Sequence, residues 1–407
     1  MKDIELYSRL LDLPEGWEVI DVQLNLDEEE VNVIINYFSS KAPCPVCGRM
    51  SPIYDHRERR RWRHLDTCQL KTYLICEVPR IQCQEHGIVT VRVPWAGSHS
   101  RFSRHFERIA IDLLLAFKKQ TKVAKILRIS FDQLHGIMKR AVHRGLKRRD
   151  NSQPIPYIGI DEKSIGAHHH YASVLLDLEN QRVLDVEENR DEGAATRLLH
   201  KGLGEGQRGQ VKAIAMDFWR AYRKAVRERL PQADVVHDRF HIIGQLNKAI
   251  DKTRRQEIYH IDKEQRKYLK HTRYLFLQNP QSWTDRYKRR FQQIQRINLK
   301  TAQAWRMRED FKGFFSCQTL NEARFYLTQW FDQVDQTDLP FVKSVARTFQ
   351  NHLSGILNFV VHRITNALTE TINGLIKEIL YVARGFRLFE NFRIAVLFFL
   401  GKLDLYP

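Results

Sequence analysis

The sequence predicts a multidomain α/β protein, and three observations support that class. The chain has 407 residues, enough for about two to four domains, and its hydrophobic fraction of 43% can fill several cores. Cysteines crowd into the stretch from Cys44 to Cys83, among short segments of alternating polarity that are typical of strands. Strand-like apolar runs then alternate with helical periods over residues 154–243, and helical periods dominate the remainder.

The charge of the chain points to a polyanionic partner. Its 66 Lys and Arg outnumber 48 Asp and Glu, which gives a formal net charge of +18. No apolar run approaches the ~20 residues of a membrane-spanning helix, so nucleic acid is favoured over a membrane. The N-terminus has early acids and no apolar signal core, which predicts a cytoplasmic chain.

Residues 1–40 are expected to begin a small β module. Trp17–Val22 and Glu30–Tyr37 alternate in polarity and predict two strands joined by an acidic turn. A further strand is expected over Leu70–Cys76, between the cysteine motifs that follow.

Two cysteine motifs in this module predict a structural zinc site. Cys44 and Cys47 are separated by two residues and followed by a glycine, and Cys83 and His86 repeat the same spacing. Such turns aim their side chains inward, and the glycine relieves the backbone. Two of these knuckles joined by a hairpin are typical of a zinc ribbon. Cys76 is the alternative to His86 as the fourth ligand, and free buried thiols are the alternative to zinc.

A basic run lies between the two knuckles. Arg59, Arg60, Arg61 and Arg63 surround Trp62. A solvated charge cluster would explain the run, but basic residues around an aromatic residue on a zinc module favour contact with the DNA backbone.

Residues 99–150 predict three short helices in a helix-turn-helix arrangement. Ser103 is a candidate cap of the first helix, and Ser130 with Gln133 forms a capping box before the third. Residues 101–150 carry 14 Lys and Arg against 4 Asp and Glu, which favours DNA binding over a generic three-helix bundle. The residues expected to face inward are Ile109, Leu113, Leu114 and Phe117 on the first helix, and Leu134, Ile137, Met138, Ala141 and Val142 on the third. Those expected to face outward on the third are His135, Lys139, Arg140 and Arg144.

Residues 154–243 predict the order β-β-β-α-β-α-β. The first and fourth of these strands are each expected to end in an acid, at Asp161 and Asp217. This is the order of a ribonuclease H-like fold, a mixed five-stranded sheet with helices. Because that order places the first and fourth strands side by side, Asp161 and Asp217 are expected to meet. Surface acids after strands are common, so either residue alone would carry little weight.

The next segment, residues 244–360, predicts helices only. Residues 248–308 carry 17 Lys and Arg against 5 Asp and Glu. Four aromatic residues are interleaved with these charges, and they either form a core or help to build a surface that faces DNA. They are Trp283, Tyr287, Phe291 and Trp305.

A long helix from about Thr365 carries two stripes at helical spacing. The apolar stripe is Ile364, Leu368, Ile372, Leu375 and Ile379. The polar stripe is Asn366, Glu370, Asn373 and Lys377. Glu370 can bind a metal and Lys377 can neutralise a phosphate. Two aspartates at strand ends and one helical glutamate are the ligands that a two-metal phosphoryl-transfer site needs.

These motifs resemble those of DDE transposases of bacterial insertion sequences, and most closely the ISL-three family. The resemblance covers nearly the whole chain. Besides the knuckles and the helix-turn-helix, it rests on Gly159-Ile160-Asp161-Glu162, Met216-Asp217, Asp238-Arg239-Phe240-His241, Asn366-Ala367-Leu368-Thr369-Glu370, and Lys377 after six intervening residues. Two features depart from the family pattern. Thr369 and Thr371 flank the glutamate where relatives often have Ala and Gly, and His86 stands where relatives often have cysteine.

The resemblance implies an enzyme that binds the ends of an insertion sequence and catalyses DNA cleavage and strand transfer. It implies that Asp161, Asp217 and Glu370 form the catalytic triad and bind two Mg²⁺ ions, which Mn²⁺ could replace. The implied partners are double-stranded DNA, both terminal inverted repeats and target, and a second copy of the chain in a synaptic homodimer. Association with the nucleoid would follow. A ribonuclease H-like nuclease that does not join strands, or a non-catalytic zinc and helix-turn-helix regulator, are the alternatives.

Five segments are therefore expected along the chain. They are a β module with zinc-binding knuckles at 1–98, a helix-turn-helix DNA-binding domain at 99–150, the first part of a ribonuclease H-like catalytic core at 154–243, an all-helical insertion at 244–360, and C-terminal helices that complete the core at 361–407.

Overall fold

The computed structural model describes residues 3–166, 170–296, 299–364 and 367–407. The chain divides into two compact units. The first comprises Met1–Arg149 with Leu403–Pro407, and the second comprises Asp150–Lys402. The five finer segments expected from the sequence stay predictions.

The first unit starts with a helix that the alternating pattern did not predict, α1 (Asp3–Leu11). Strands then form two four-stranded sheets, in the orders β1-β2-β6-β5 and β3-β4-β7-β8. The strands are β1 (Trp17–Asn25), β2 (Glu30–Tyr37), β3 (Lys41–Pro43), β4 (Met50–His56), β5 (Arg60–Arg63), β6 (Lys71–Cys76), β7 (Pro79–Cys83) and β8 (Gly87–Thr90). The predicted pair β1 and β2 is antiparallel, and the predicted strand before Cys76 is β6.

Both sheets of the first unit contribute to one apolar core. Three tryptophans meet there at near-perpendicular angles, with Trp95 between Trp17 and Trp62 and ring centroids 5.1 and 5.5 Å apart. Such edge-to-face contacts add to the free energy of burial.

Helices α2 (Arg104–Phe117), α3 (Gln120–Leu127) and α4 (Phe131–Arg148) complete the first unit. Ser103 caps α2, and Ser130 with Gln133 forms the predicted capping box of α4. All five residues expected to face inward on α4 are buried.

The predicted inward face of α2 is wrong in part. Leu114 is buried, but Ile109 and Phe117 are 38% and 41% exposed. The buried stripe of α2 is rotated instead toward Phe106 and Ala110, and Phe106 stacks on Phe102 of the preceding segment with ring centroids 5.1 Å apart. The buried residues of α2 thus include Glu107 and Ile111, which the predicted apolar face left out.

The second unit contains a five-stranded mixed sheet in the order β11-β10-β9-β12-β13. Its elements are β9 (Tyr157–Ser164), β10 (Tyr171–Asp177), β11 (Arg182–Glu188), α5 (Glu192–Gly202), α6 (Glu205–Arg208), β12 (Ala213–Met216), α7 (Arg220–Arg229) and β13 (Asp234–His237). Strands β9, β10 and β11 are antiparallel neighbours, and β12 runs parallel to both β9 and β13. The first and fourth strands are adjacent, as predicted.

One prediction about this sheet is wrong: β9 does not end at Asp161. It continues to Ser164 because β10 pairs with it over that length, from Val174 opposite Asp161 to Tyr171 opposite Ser164. Only the other neighbour, β12, stops early, at Met216.

After β13, the described residues as far as Ile364 form helices only. They are α8 (Arg239–His260), α9 (Lys263–Leu269), α10 (Arg273–Leu277), α11 (Asp285–Arg296), α12 (Lys300–Phe311), α13 (Leu320–Asp335), α14 (Pro340–Asn351) and α15 (Leu353–His362), with 3₁₀ turns at Pro280–Ser282 and Lys312–Ser316. Trp283 and Phe291 are buried, with ring centroids 4.7 Å apart, and Trp305 packs against both. These aromatic residues form a core, so the alternative of a DNA-facing aromatic surface is wrong for them.

The unit ends with α16 (Ala367–Ala383) and α17 (Phe389–Leu400). Of the predicted apolar stripe on α16, Ile372 and Ile379 are buried and Leu368 and Leu375 are half-buried, while Ile376, which was not predicted, is buried as well. Asn366, the first residue of the predicted polar stripe, lies outside the described residues. In the part of the chain that the structure describes, no helix has the length and apolar character needed to cross a membrane.

Candidate active site and zinc site

Asp161 and Asp217 lie side by side at one edge of the β12 ladder. The parallel register pairs Ala215 with Gly159, so two further steps bring Asp217 beside Asp161. The Asp161 side chain is only 12% exposed. Burial, together with the neighbouring charge of Asp217, raises the pKa of the Asp161 carboxyl to about 6. Burial also raises the pKa of Asp217.

Helix α16 runs alongside β9 in the same direction, as three observations along the helix establish. Leu368 lines a cavity together with Tyr157 at the start of the strand. Asn373 donates a hydrogen bond from Nδ2 to Oδ2 of Asp161 at 2.7 Å. One turn later, Lys377 lies close enough to Lys163 to lower the pKa of that lysine, although burial is the larger cause.

Glu370 lies on α16 one turn before Asn373 and on the same side of the helix, because residues three apart are neighbours on a helix surface. Asn373 contacts Asp161, so this side of α16 faces the two aspartates. Glu370 itself is exposed. The contact of this side of α16 with the aspartates is thus made by Asn373.

Asp238 and His241 also lie at this site, where Asp238 caps the helix that carries His241. Asp238 caps α8 by accepting hydrogen bonds from the backbone N–H groups of Phe240 and His241, at 3.1 and 3.3 Å. The cap fixes the first turn, and His241 Nε2 lies 3.9 Å from Oδ1 of Asp161. The charge of His241 opposes the rise in pKa of both Asp161 and Asp217.

Glu162 points to the opposite face of β9 from Asp161, as strand alternation requires. Arg190 pairs with it there at 2.9 Å and stacks over Trp219 at 4.7 Å. Trp219 donates from its backbone N–H to Asp217 Oδ1 at 2.8 Å, so this cluster also helps to fix Asp217. Burial, then the charge of Asp217, raises the pKa of Glu162.

The four predicted zinc ligands form one cluster, with their ligand atoms within 4.8 Å of one another. The distance between Cys47 Sγ and Cys83 Sγ is 3.8 Å, and His86 Nδ1 lies 3.6 and 3.9 Å from the sulfurs of Cys83 and Cys44. Ligands about 2.3 Å from a tetrahedral zinc ion lie about 3.8 Å apart, so the cluster has the dimensions of a zinc site. The hydrogen bond with His86 lowers the pKa of the Cys83 thiol to about 6, which favours the metal-binding thiolate.

Local folding explains this cluster. Cys44 directly follows β3, Cys83 ends β7 and Gly87 begins β8, so both knuckles are turns of one sheet. Gly48 and Gly87 have φ of +75° and +64°, a conformation in which a Cβ would be strained. Cys76 lies instead on the buried face of β6, where burial raises its thiol pKa to about 12.

Comparisons with known proteins match both sites. Residues 158–396 match a family of transposases, of the ISL3 type, and residues 40–86 match the zinc finger of the transposases IS204, IS1001, IS1096 and IS1165. The chain belongs to the ISL3 family of transposases. A transposase is an enzyme that acts on DNA, and the predicted family is thereby confirmed.

Two relatives are similar to this transposase over almost their whole length. The transposase for insertion sequence element IS1557 of Mycobacterium tuberculosis is 26% identical over 416 residues, which cover 95% of this chain and 93% of the relative. The transposase for insertion sequence element IS1001 of Bordetella parapertussis is 24% identical over 399 residues, which cover 96% and 98%.

The basic residues predicted to contact DNA fall into two groups in the transposase. Arg59 and Lys139 are exposed, and Arg60 and Arg61 line one concave surface. His99 and Arg101, which sequence analysis did not single out, line that surface too. Arg61 is held over Tyr73 at 3.6 Å, and Arg60 donates to the carbonyl of Ser100 at 2.6 Å.

Three other predicted DNA contacts, Arg63, Arg140 and Arg144, are engaged within the fold. Arg63 is 5% exposed and forms an ion pair with Asp66. Arg140 and Arg144 both lie against the buried carboxylate of Glu107, at 2.6 and 3.5 Å. These three arginines therefore form ion pairs with acids of the protein itself.

Arg190 and Lys163 also lie near the acidic site, and neither was predicted from the sequence as a site residue. Lys163 could have been found, because it follows Asp161 by two residues and strand alternation puts both on one face. Arg190 lies between β11 and α5, and its approach to Glu162 depends on the sheet order.

Proposed function

We propose that this transposase cleaves DNA at the ends of its insertion sequence and transfers the freed 3′-hydroxyl to target DNA, in a ribonuclease H-like catalytic core. The juxtaposition of Asp161 and Asp217 carries the proposal. Two buried carboxylates repel each other and raise each other's proton affinity, and a divalent cation between them relieves that repulsion.

We propose Asp161, Asp217 and Glu370 as the catalytic triad and as the ligands of two Mg²⁺ ions, with Mn²⁺ as a substitute. Carboxylate oxygens suit these hard ions. Such a metal pair activates the attacking oxygen and stabilises the leaving one. Two acids on adjacent strands and a third on the helix that faces them fit this demand.

The neighbouring side chains have supporting roles in this proposal. Asn373 orients Asp161 through its amide, and Lys377 provides positive charge for a DNA phosphate one turn further along α16. His241 moderates the negative charge of the acids until metal and DNA bind. No serine, tyrosine or cysteine is needed as a nucleophile, because water and the DNA hydroxyl serve in turn.

We further propose that Cys44, Cys47, Cys83 and His86 hold a structural Zn²⁺ ion and that the first unit binds the DNA ends. Arg59, Arg60, Arg61 and Lys139 would contact phosphates there, since none of them is buried. Arg63, Arg140 and Arg144 would shape that surface through their internal contacts. A homodimer would bring two ends together.

The test is a strand-joining assay with the purified protein, DNA carrying the element's ends, Mg²⁺ and a plasmid target. The proposal expects cleaved ends that become covalently joined to the plasmid. Cleaved ends without joined product would indicate a nuclease. Specific binding without cleavage would indicate a regulator.

A further inference from the structure

Lys163 and Lys377 are brought together next to Asp161 by the matched course of β9 and α16. Lys163 follows Asp161 by two residues on the same face of the strand, an advance of about 6.6 Å. Lys377 follows Asn373 by four residues on the same face of the helix, an advance of about 6 Å. The contact between Asn373 and Asp161 sets the register, and the two lysines therefore meet one step further on.

This arrangement is unfavourable for the free protein. The positive charge of Lys377 acts against that of Lys163, and the half-buried position of Lys163 reduces the screening by solvent. The negative charge of Asp161 acts on Lys163. Asp161 also accepts a hydrogen bond from Asn373, and in the proposed function it binds metal. A pair of lysines in such a place is suited to an anion that both can contact.

We propose that Lys163 and Lys377 jointly bind a phosphate of the cleaved DNA strand, adjacent to the scissile phosphate. This inference rests on the proposed function and adds Lys163 to it as a positioning residue. A phosphate held on one side of Asp161 fixes the scissile bond relative to the three acids. Alignment of this kind contributes to rate without any contact with the reacting atoms.

The experiment combines protein variants with neutralised phosphates. Oligonucleotide ends carrying one uncharged methylphosphonate, moved in turn along the strand beside the cleavage site, are compared in cleavage by the wild type and by Lys163→Ala. In the wild type, one position is expected to slow cleavage about tenfold or more, as for a lost charge-assisted hydrogen bond. In Lys163→Ala that same methylphosphonate should have little further effect, because the contact is already gone.

Three further variants test whether the loss of the Lys163 charge causes the effect. Lys163→Arg keeps the charge and should restore most of the cleavage and the sensitivity at that position. Lys163→Gln repeats the loss with a polar side chain, in case the alanine variant folds poorly. Lys224→Ala is the matched control, since this surface lysine of α7 pairs with Glu192 and should leave the pattern unchanged.

Two results would overturn the proposal. Cleavage by Lys163→Ala and Lys163→Gln at the wild-type rate would do so, as would an unchanged methylphosphonate pattern in both. If the wild type cleaved no DNA, the proposed function would fail separately. The phosphate contact would then be judged by binding of the same oligonucleotides, where equal losses in wild type and variants would reject it.

Discussion

Glu107 in the first unit and Asp161 in the second are both buried acids, and their neighbours differ in charge. Glu107 accepts a hydrogen bond from Ser100 Oγ at 2.9 Å and another from Arg140 at 2.6 Å, and Arg144 lies at 3.5 Å. Two guanidinium groups therefore balance one carboxylate, and this acid joins α2 to α4.

Asp161 has the opposite surroundings. The charge of Asp217 acts against its ionisation, its hydrogen-bond donor is the neutral amide of Asn373, and His241 Nε2 lies 3.9 Å away. Burial outweighs the opposing charge of His241 and raises the pKa of Asp161, whereas a structural acid is normally paired with cations. A carboxylate already neutralised by cations of the protein thus stabilises the fold, whereas the proposed function assigns an external cation to Asp161 and Asp217.

The sharpest test of this difference removes the charges of the acidic site. Asp161→Asn, Asp217→Asn and Glu370→Gln should each lower cleavage and joining by roughly 10³-fold or more, because an amide keeps the shape but loses the charge that binds Mg²⁺. End binding, measured by gel shift, should stay close to that of the wild type.

The double variant Asp161→Asn/Glu370→Gln should be no slower than either single variant, since ligands of one constellation fail together. Glu378→Gln on the same helix is the matched control and should retain activity. Joining at the wild-type rate in Glu370→Gln would show that a different acid completes the site.

The zinc cluster offers a second contrast, because there the proposed cation would stabilise the fold and would not contact the substrate. Cys47→Ser should lower bound zinc from one ion per chain to none and destabilise the first unit by several kcal/mol. Metal analysis and thermal unfolding would measure both effects. The exposed Cys68 provides the control, since Cys68→Ser should keep its zinc.

The identity of the fourth ligand follows from two further variants. His86→Ala should weaken zinc binding, and Cys76→Ala should retain the metal although it leaves a small cavity in the core. Retained zinc in His86→Ala with loss in Cys76→Ala would contradict the observed cluster.

Much of the architecture could be predicted because it is local. The knuckle spacings and the capping box at Ser130 each involve only a few neighbouring residues. The strands and helices of the second unit follow one another along the chain in the predicted order. The inward face of α4 also followed from periodicity. These features need no knowledge of distant partners.

The parts that sequence could not give depend on packing between distant segments. Strand β9 continues past Asp161 only because β10 pairs with it there. Arg63 belongs to a basic run but is buried, with its guanidinium over the ring of Phe106 on α2. Arg140 and Arg144 of α4 contact Glu107 of α2, and their charge alone suggested DNA.

A third test removes the charge of Glu107, the acid that Arg140 and Arg144 neutralise. Glu107→Gln should lower the free energy of unfolding of the first unit by about 2–4 kcal/mol, because it leaves Arg140 and Arg144 repelling each other without a counter-ion. Chemical denaturation followed by circular dichroism would measure the loss. Glu5→Gln removes an exposed pair with Arg9 and should cost less than about 1 kcal/mol. Equal effects of the two substitutions would remove the distinction drawn for Glu107.

The smallest expected effect has the opposite sign and concerns Asp161 without metal. Its pKa is about 6 in the folded chain against an ordinary value of 3.8, so the folded state binds the proton more tightly than the unfolded state. The ionised group therefore destabilises the fold above pH 6, and this penalty disappears as the pH falls from 6 toward 4. In EDTA at pH 7, Asp161→Asn should be more stable than the wild type by on the order of 1–3 kcal/mol, and the gap should close near pH 4.

Asp55→Asn supplies the reverse control, because the hydrogen bond from Arg80 lowers the pKa of Asp55 and its removal should destabilise the chain at neutral pH. Thermal unfolding across this pH range would measure both, and a wild type more stable than Asp161→Asn at pH 7 would show that the acidic site is balanced in the way that Glu107 is.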